Sequence, residues 1–256
     1  MDFPRAQSVA PRLELLTRTG STNADLRVKA EAVEEWPHLS TLVTRDQTAG
    51  RGRLDRTWVA PEGTALAISV LLRALPDDAA ARCWIPLAAG VAMSEAVAAQ
   101  LPGHDVAVKW PNDVLVDGGK ICGILAEATS GAVVVGAGVN TAMASDQLPV
   151  PTATSFAVLG GEVDEDLLLA SYLEALDGHL SALIAAGDAV ASGLHHAVTA
   201  SCATLGQTVR VSMPGDLVLE GSATAIDADG RLLVVAEGVE HAVSAGDVVH
   251  VRPAGT

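Results

Sequence analysis

The stretch VAVKWPNDVLVDGGKICGILAEA, residues 106–128, reads as consecutive strands separated by short turns. Val106–Trp110 is apolar and β-prone, and Pro111 stops ladder pairing and leaves Asn112 and Asp113 projecting from a turn. A second run begins at Val114 and carries a hairpin signal at Asp117-Gly118-Gly119. Strands joined by such short turns pair antiparallel, because a parallel pair needs a long crossover.

The neighbouring segments extend this reading. RLELLTRT (12–19), STLVTRDQ (40–47), TALAISVLLR (64–73) and AVVVGAGVN (132–140) are strand-like. STNADLRVKAEAVEEW (21–36) reads as a helix, with Thr22 and Asp25 at capping-box spacing. Residues 82–101 form an Ala-rich helix apolar enough to pack on a sheet, and further helices are expected near 164–186 and 188–203. The expected fold class is α+β: a mixed, largely antiparallel sheet with helices packed on one side. TAMASDQLPVPTATS (141–155) is a loop. Past Leu205 come short alternating strands with turns at Pro214-Gly215, Ala228-Asp229-Gly230 and Gly246-Asp247. These predict a small closed β-barrel of about 50 residues.

Composition bounds the partners. The 256-residue chain carries a net charge of −15, which argues against nucleic acid or an anionic membrane. Thirteen of its 16 Lys and Arg residues precede residue 141. Cys83, Cys122 and Cys202 form no CxxC or zinc spacing, as expected of a cytoplasmic protein. The N-terminus lacks a signal core, and the longest apolar run, residues 83–94, is too short to span a bilayer.

The scarce cations cluster in QTAGRGRLDRTW (47–58), where Arg51, Arg53 and Arg56 sit among Gly50 and Gly52. Glycines let backbone N–H groups approach an anion, and guanidinium forks bind carboxylate or phosphate while keeping their charge. The P-loop pattern is absent, and GAGVN (136–140) fails as a dinucleotide fingerprint at Thr141. A Lys109–Asn112–Asp113 group can neutralise phosphate, hydrogen-bond it and hold Mg²⁺ through a carboxylate. GSTN (20–23) opens a helix whose unpaired N–H groups suit a polar ligand, although it also reads as a plain N-cap.

GSTN, QTAGRGRxxRxW, KWPND, GGKxxGIL.E and GxGxN occur in this order, and together they resemble the biotin protein ligase family. The resemblance is dense over residues 20–140, and the family's C-terminal unit fits 204–252. It implies a class II synthetase-like catalytic domain over 1–203 and an SH3-like β-barrel over 204–256. It also implies activation of biotin by ATP with Mg²⁺, and transfer of biotin to a lysine of a biotin carboxyl carrier protein domain. Asp55 stands where the family usually has glycine. No helix-turn-helix segment precedes GSTN, so the repressor function of some relatives is not expected.

By resemblance, Ser21, Thr22, Asn23, Gln47, Gly50, Arg51 and Gly123 line the biotin site, with Arg53 and Lys109 at its carboxylate end. Arg53, Arg56, Trp58, Asn112, Lys120 and Asn140 face ATP. Arg53, Lys109 and Asp113 are the catalytic set, with Asp113 as the metal ligand. A lipoate ligase-like acyl-adenylate transferase and a non-catalytic biotin-binding regulator are the alternative readings.

Overall fold

The computed structural model describes residues 2–53, 56–213, 217–244 and 247–250. Asp55, Pro214, Gly215 and Gly246, named above, lie outside the described residues.

In chain order the first elements are α1 (Pro4–Val9), β1 (Leu13–Leu16), α2 (Thr22–Lys29) and β2 (Thr41–Thr44). A two-stranded hairpin follows, β3 (Gly50–Arg51) with β4 (Thr57–Trp58), and then β5 (Ala65–Leu72). Helices α3 (Ala79–Arg82) and α4 (Ile85–Ala98) lead into β6 (Val106–Lys109), β7 (Asp113–Val116), β8 (Gly119–Thr129) and β9 (Ala132–Asn140). After α5 (Glu165–Ala186) and α6 (Leu194–Ser201) come β10 (Thr208–Met213), β11 (Leu217–Ile226), β12 (Leu232–Ala236), β13 (Val239–Val243) and β14 (Asp247–His250).

Seven strands form one sheet in the order β1-β2-β5-β9-β8-β7-β6. Only β1 and β2 pair in parallel, and α2 is their crossover; every other pair is antiparallel. The mixed, largely antiparallel sheet is as expected. Helices, however, cover both faces rather than one. Leu66, Ile68, Val70 and Leu72 of β5 join α1, α4, α5 and α6 in the large core. Leu71 faces the other way and packs with Leu26 of α2, its C-cap Ala30, Trp36 and Leu42. A strand such as β5, apolar but for Ser69, feeds two cores because alternate side chains leave opposite faces.

Helix α2 is shorter than expected. Its N-cap is Ser21, whose Oγ accepts from Ala24 N–H, so Thr22 lies inside the helix. Asp25 bonds the Thr19 hydroxyl instead of closing a capping box. The helix stops at Lys29, and Trp36 folds back into the small core beneath Arg12 and Lys29, each within 4.6 Å of its ring centroid. Similarly, α6 starts only after Gly193, whose φ of 81° breaks the run from 188.

The C-terminal strands correct a second expectation. They form an open sheet, β13-β12-β11-β10-β14, and among the described residues no sheet closes into a barrel. Alternation predicts an apolar face but not what covers it. Here Val209, Val211, Leu232 and Val234 merge into the large core instead of enclosing their own. The turn at 228–230 docks there: Ala228 and Gly230 carbonyls accept from the indoles of Trp84 and Trp110, both at 3.0 Å.

Helix α5 is long and apolar enough to cross a membrane by length and composition. One face of it nevertheless belongs to the core, Leu168, Leu169, Tyr172, Leu173, Leu176, Leu180 and Leu183 being buried. All three cysteines are free.

Candidate active site

The part of the sheet face that α2 leaves uncovered forms the floor of a cavity of about 430 Å³. Register assembles this floor from small residues. Ala67 of β5 pairs with Gly138 of β9, which pairs with Gly123 of β8; one step along, Ser69 pairs with Gly136, which pairs with Leu125. The missing side chains are required. A Cβ at Gly136 would lie 2.5 Å from Asn23 Oδ1, and one at Gly138 would lie 2.6 Å from the Trp58 ring. The GAGVN motif is therefore a groove floor, which explains glycines inside a central strand despite their cost there.

One end of the cavity is a buried polar network built on the start of α2. Thr22 N–H and hydroxyl both donate to Gln47 Oε1, at 2.9 and 3.1 Å. The Ser69 hydroxyl lies 2.8 Å from that of Thr22 and donates to Asn23 Oδ1 at 2.6 Å. Asn23 Nδ2 donates to Glu127 Oε2 at 2.8 Å, and Glu127 also receives Arg51 at 3.0 Å. Gly50 lets the β3–β4 hairpin leave β2, since a Cβ there would meet Gln47 Nε2 and Trp58 O at 2.5 Å.

The KWPND turn builds the other end. It is tighter than expected: Lys109 pairs directly with Asp113, so Asp113 opens β7 instead of projecting from a turn. Trp110–Pro111 is a cis peptide. Asn112 is locked to β8, its Nδ2 donating to Ile124 O at 2.9 Å and its backbone O accepting from Ile124 N–H at 2.8 Å. This turns Asn112 Oδ1 toward the hairpin, where Arg53 donates to it at 2.8 Å. Asp113 lies beside Gly123 and forms an ion pair with Lys120 at 2.7 Å, a close contact without hydrogen-bond alignment. Nearby Cys122 is buried, and desolvation pushes its thiol up to about 12, which leaves it unreactive.

The segment after Asn140 folds back as a wall. Lys120 N–H donates to Thr152 O and Thr154 N–H to Lys120 O, both at 2.8 Å, while Asn140 Nδ2 holds Thr154 O at the same distance. Pro149, Val150 and Ala153 thereby line the cavity.

Comparison with known proteins gives the family and the fold. Residues 15–141 match the biotin/lipoate A/B protein ligase family, and residues 204–251 match the biotin protein ligase C-terminal domain. The biotin–[acetyl-CoA-carboxylase] ligase of Mycobacterium tuberculosis is 37% identical over 94% of this chain and 90% of its own length. That of Paracoccus denitrificans is 33% identical over 91% and 98%. The chain belongs to the biotin protein ligase family. A biotin protein ligase from Aquifex aeolicus, solved in complex with biotin and ATP, shares the fold: its TM-score is 0.77 at 24% identity, covering 94% of this chain and 99% of that one.

Of the residues that the family motifs nominate, Ser21, Thr22, Asn23, Gln47, Arg51 and Gly123 meet in the cavity with Arg53, Arg56 and Trp58. Asn112, Asp113, Lys120 and Asn140 stand in the same lining. Gly50 borders an adjoining, more open groove along the hairpin, which Glu127 also lines. Lys109 is not among the lining residues; it ends β6 across from Asp113, close enough to His250 for its charge to lower that imidazole. Four residues were given no role from sequence: Gly136 and Gly138, motif glycines that line the cavity, and Ser69 and Glu127, which bond the Asn23 that lines it. Glu127 shares a face with Gly123 and Leu125 at period two, a signal present once β8 is drawn.

Proposed function

We propose that the chain joins biotin's carboxylate to the α-phosphorus of ATP, releasing pyrophosphate and forming biotinyl-5′-AMP. The ε-amine of a lysine on a biotin carboxyl carrier protein domain then attacks the acyl carbon, loses a proton and displaces AMP. The observation that carries this reading is that one cavity holds both the Thr22–Gln47–Asn23 network and the Arg53–Asn112 and Asp113–Lys120 groups. The first offers neutral donors and acceptors for a cyclic urea. The second offers charge for phosphates.

In this reading Ser21, Thr22, Asn23, Gln47, Gly50, Arg51 and Gly123 hold biotin. Arg53, Arg56, Trp58, Asn112, Lys120 and Asn140 hold the nucleotide. Two anions must meet for the first step, and they repel by about 1–4 kcal/mol in water-like to surface-like dielectric. Arg53 and Lys109 offset that repulsion. Lys109, Asp113 and Gly123 are register partners across three strands, so Lys109 stands on the face that carries the cavity. Residues 1–203 are the catalytic unit and 204–256 the C-terminal unit.

Among the described residues no three His, Cys, Asp or Glu side chains gather as a metal cage. A lone carboxylate, Asp113, fits Mg²⁺ carried mainly by nucleotide phosphates and water. Bound there, the ion would neutralise phosphate charge.

The test is biotin-dependent exchange of radiolabelled pyrophosphate into ATP. Exchange that needs biotin, and that lipoate does not support, is expected. Absence of exchange, or exchange driven by lipoate, would overturn the reading.

A further inference from the structure

The polar network under the cavity ends on a carboxylate that the roles above leave without a task. Glu127 leaves β8 on the cavity face, and its side chain is 18% exposed. Its Oε2 accepts from two elements at once, Asn23 Nδ2 at 2.8 Å and Arg51 at 3.0 Å. Oε1 faces Arg27 at 3.4 Å. Asn23 is fixed on its other side by Ser69, by Leu125 O and by the bare backbone of Gly136. We propose that Glu127 is a positioning residue for the biotin half of the site. By holding Asn23 and Arg51 on one oxygen, it ties the arginine hairpin to the start of α2. The inference rests on the ligase reading above.

The physical argument concerns preorganisation. Strands β3 and β4 contribute two residues each, too few to set a hairpin's position by backbone pairing alone. Side-chain ties must do so, and Arg51–Glu127 is the tie at the biotin end, as Arg53–Asn112 is at the phosphate end. An arginine loses substantial rotamer freedom when it is fixed. With Glu127 in place, that loss precedes ligand binding, which favours affinity. A simple ion pair between exposed chains would contribute little. This carboxylate instead joins a cation to a neutral amide that lines the cavity.

Glu127→Gln keeps the shape and one acceptor but removes the charge. In steady-state adenylation the KM for biotin should rise about tenfold, the scale of one charge-assisted hydrogen bond. The KM for ATP should stay within about twofold, and kcat should fall less than the KM for biotin rises. Because Arg51 and Glu127 share one tie, the double variant Glu127→Gln/Arg51→Gln should lose less than the product of the two single losses. An unchanged KM for biotin, with or without a lower thermal midpoint, would overturn the proposal. So would fully additive losses in the double variant. Should Glu127→Gln fail to fold, Glu127→Asp, which keeps the charge but shortens the reach to Asn23 and Arg51, carries the test, and a wild-type KM for biotin there overturns the proposal. Wild-type protein without biotin-dependent exchange would instead refute the ligase reading itself.

Discussion

Trp58 lies against the backbone of Gly138: a Cβ at residue 138 would fall 2.6 Å from Cε2 and 2.8 Å from Cζ2 and Nε1 of the indole. The contact joins the arginine hairpin to the floor of the cavity. It forms only because β9 carries glycine at that pairing position.

Gly138→Ala should therefore act on the site more than on the fold. The backbone there is not left-handed, so alanine brings crowding without dihedral strain. The indole must swing away from the floor. Titration by intrinsic fluorescence should show weaker binding of biotin plus ATP by tenfold or more, with a thermal midpoint lowered by only a few degrees. Wild-type affinity in this variant would mean that the indole's seat on the floor is irrelevant to ligand binding.

Arg53 reaches Asn112 across the cavity mouth. Arg53→Ala should leave the fold intact and slow biotinyl-5′-AMP formation by roughly 10–1000-fold, the usual scale for one electrostatic contact to a transition state. Arg53→Lys should recover only part of the rate, because an ammonium cannot reproduce the planar fork. Single-turnover chase of the adenylate would measure both. A normal rate in Arg53→Ala would remove the hairpin from the chemistry.

His250 couples the C-terminal sheet to the end of β6. Burial, and then the charge of Lys109, hold its imidazole below the ordinary 6.5. The unfolded chain thus takes up a proton at higher pH than the folded one. The stability contributed by neutral His250 is complete above pH 6.5 and is lost as pH falls below it toward the folded value. The thermal midpoint of the wild type should drop between pH 7 and 5 by more than that of His250→Gln. Lys109→Gln should raise the pKa of His250, readable from its ring proton shifts, while slowing adenylation more than it weakens ATP binding. An unmoved His250 in that variant would place Lys109 elsewhere in solution.

The segment 141–155 should exchange unevenly. Thr154 N–H is bonded to Lys120 O, so its amide should already be protected in the free enzyme. Ser145 and Asp146 should exchange fast without ligand and slow when biotin and ATP are both present. Equal protection of the two stretches, with or without ligands, would contradict this wall-and-flap arrangement.

Much of this was legible because the chemistry is local. GSTN announces a helix start because a cap needs only an N–H within the first turn, although the cap is Ser21 and not Thr22. Asp117-Gly118-Gly119 announces a hairpin because φ is positive at 117 and 118. What failed depended on distant partners. Whether β13 met β14 was hidden because alternation marks an apolar face and not the surface that covers it. The roles of Ser69 and Glu127 were hidden because their partners lie 46 and 104 residues away in sequence.

The sequence by itself determined most strands of the large sheet, the hairpin turn at 117–119 and the family, since GRGR, KWPND and GAGVN carry local geometry and charge that few other contexts need. Tertiary structure alone decided which of those residues share a cavity, because strand register is set by packing on both faces of the sheet. Register brings Ala67, Gly138 and Gly123 side by side and makes a floor out of missing side chains. It also decided the fate of the C-terminal strands: their apolar face found a ready core beside Trp84 and Trp110, and burying it there removed the need to close.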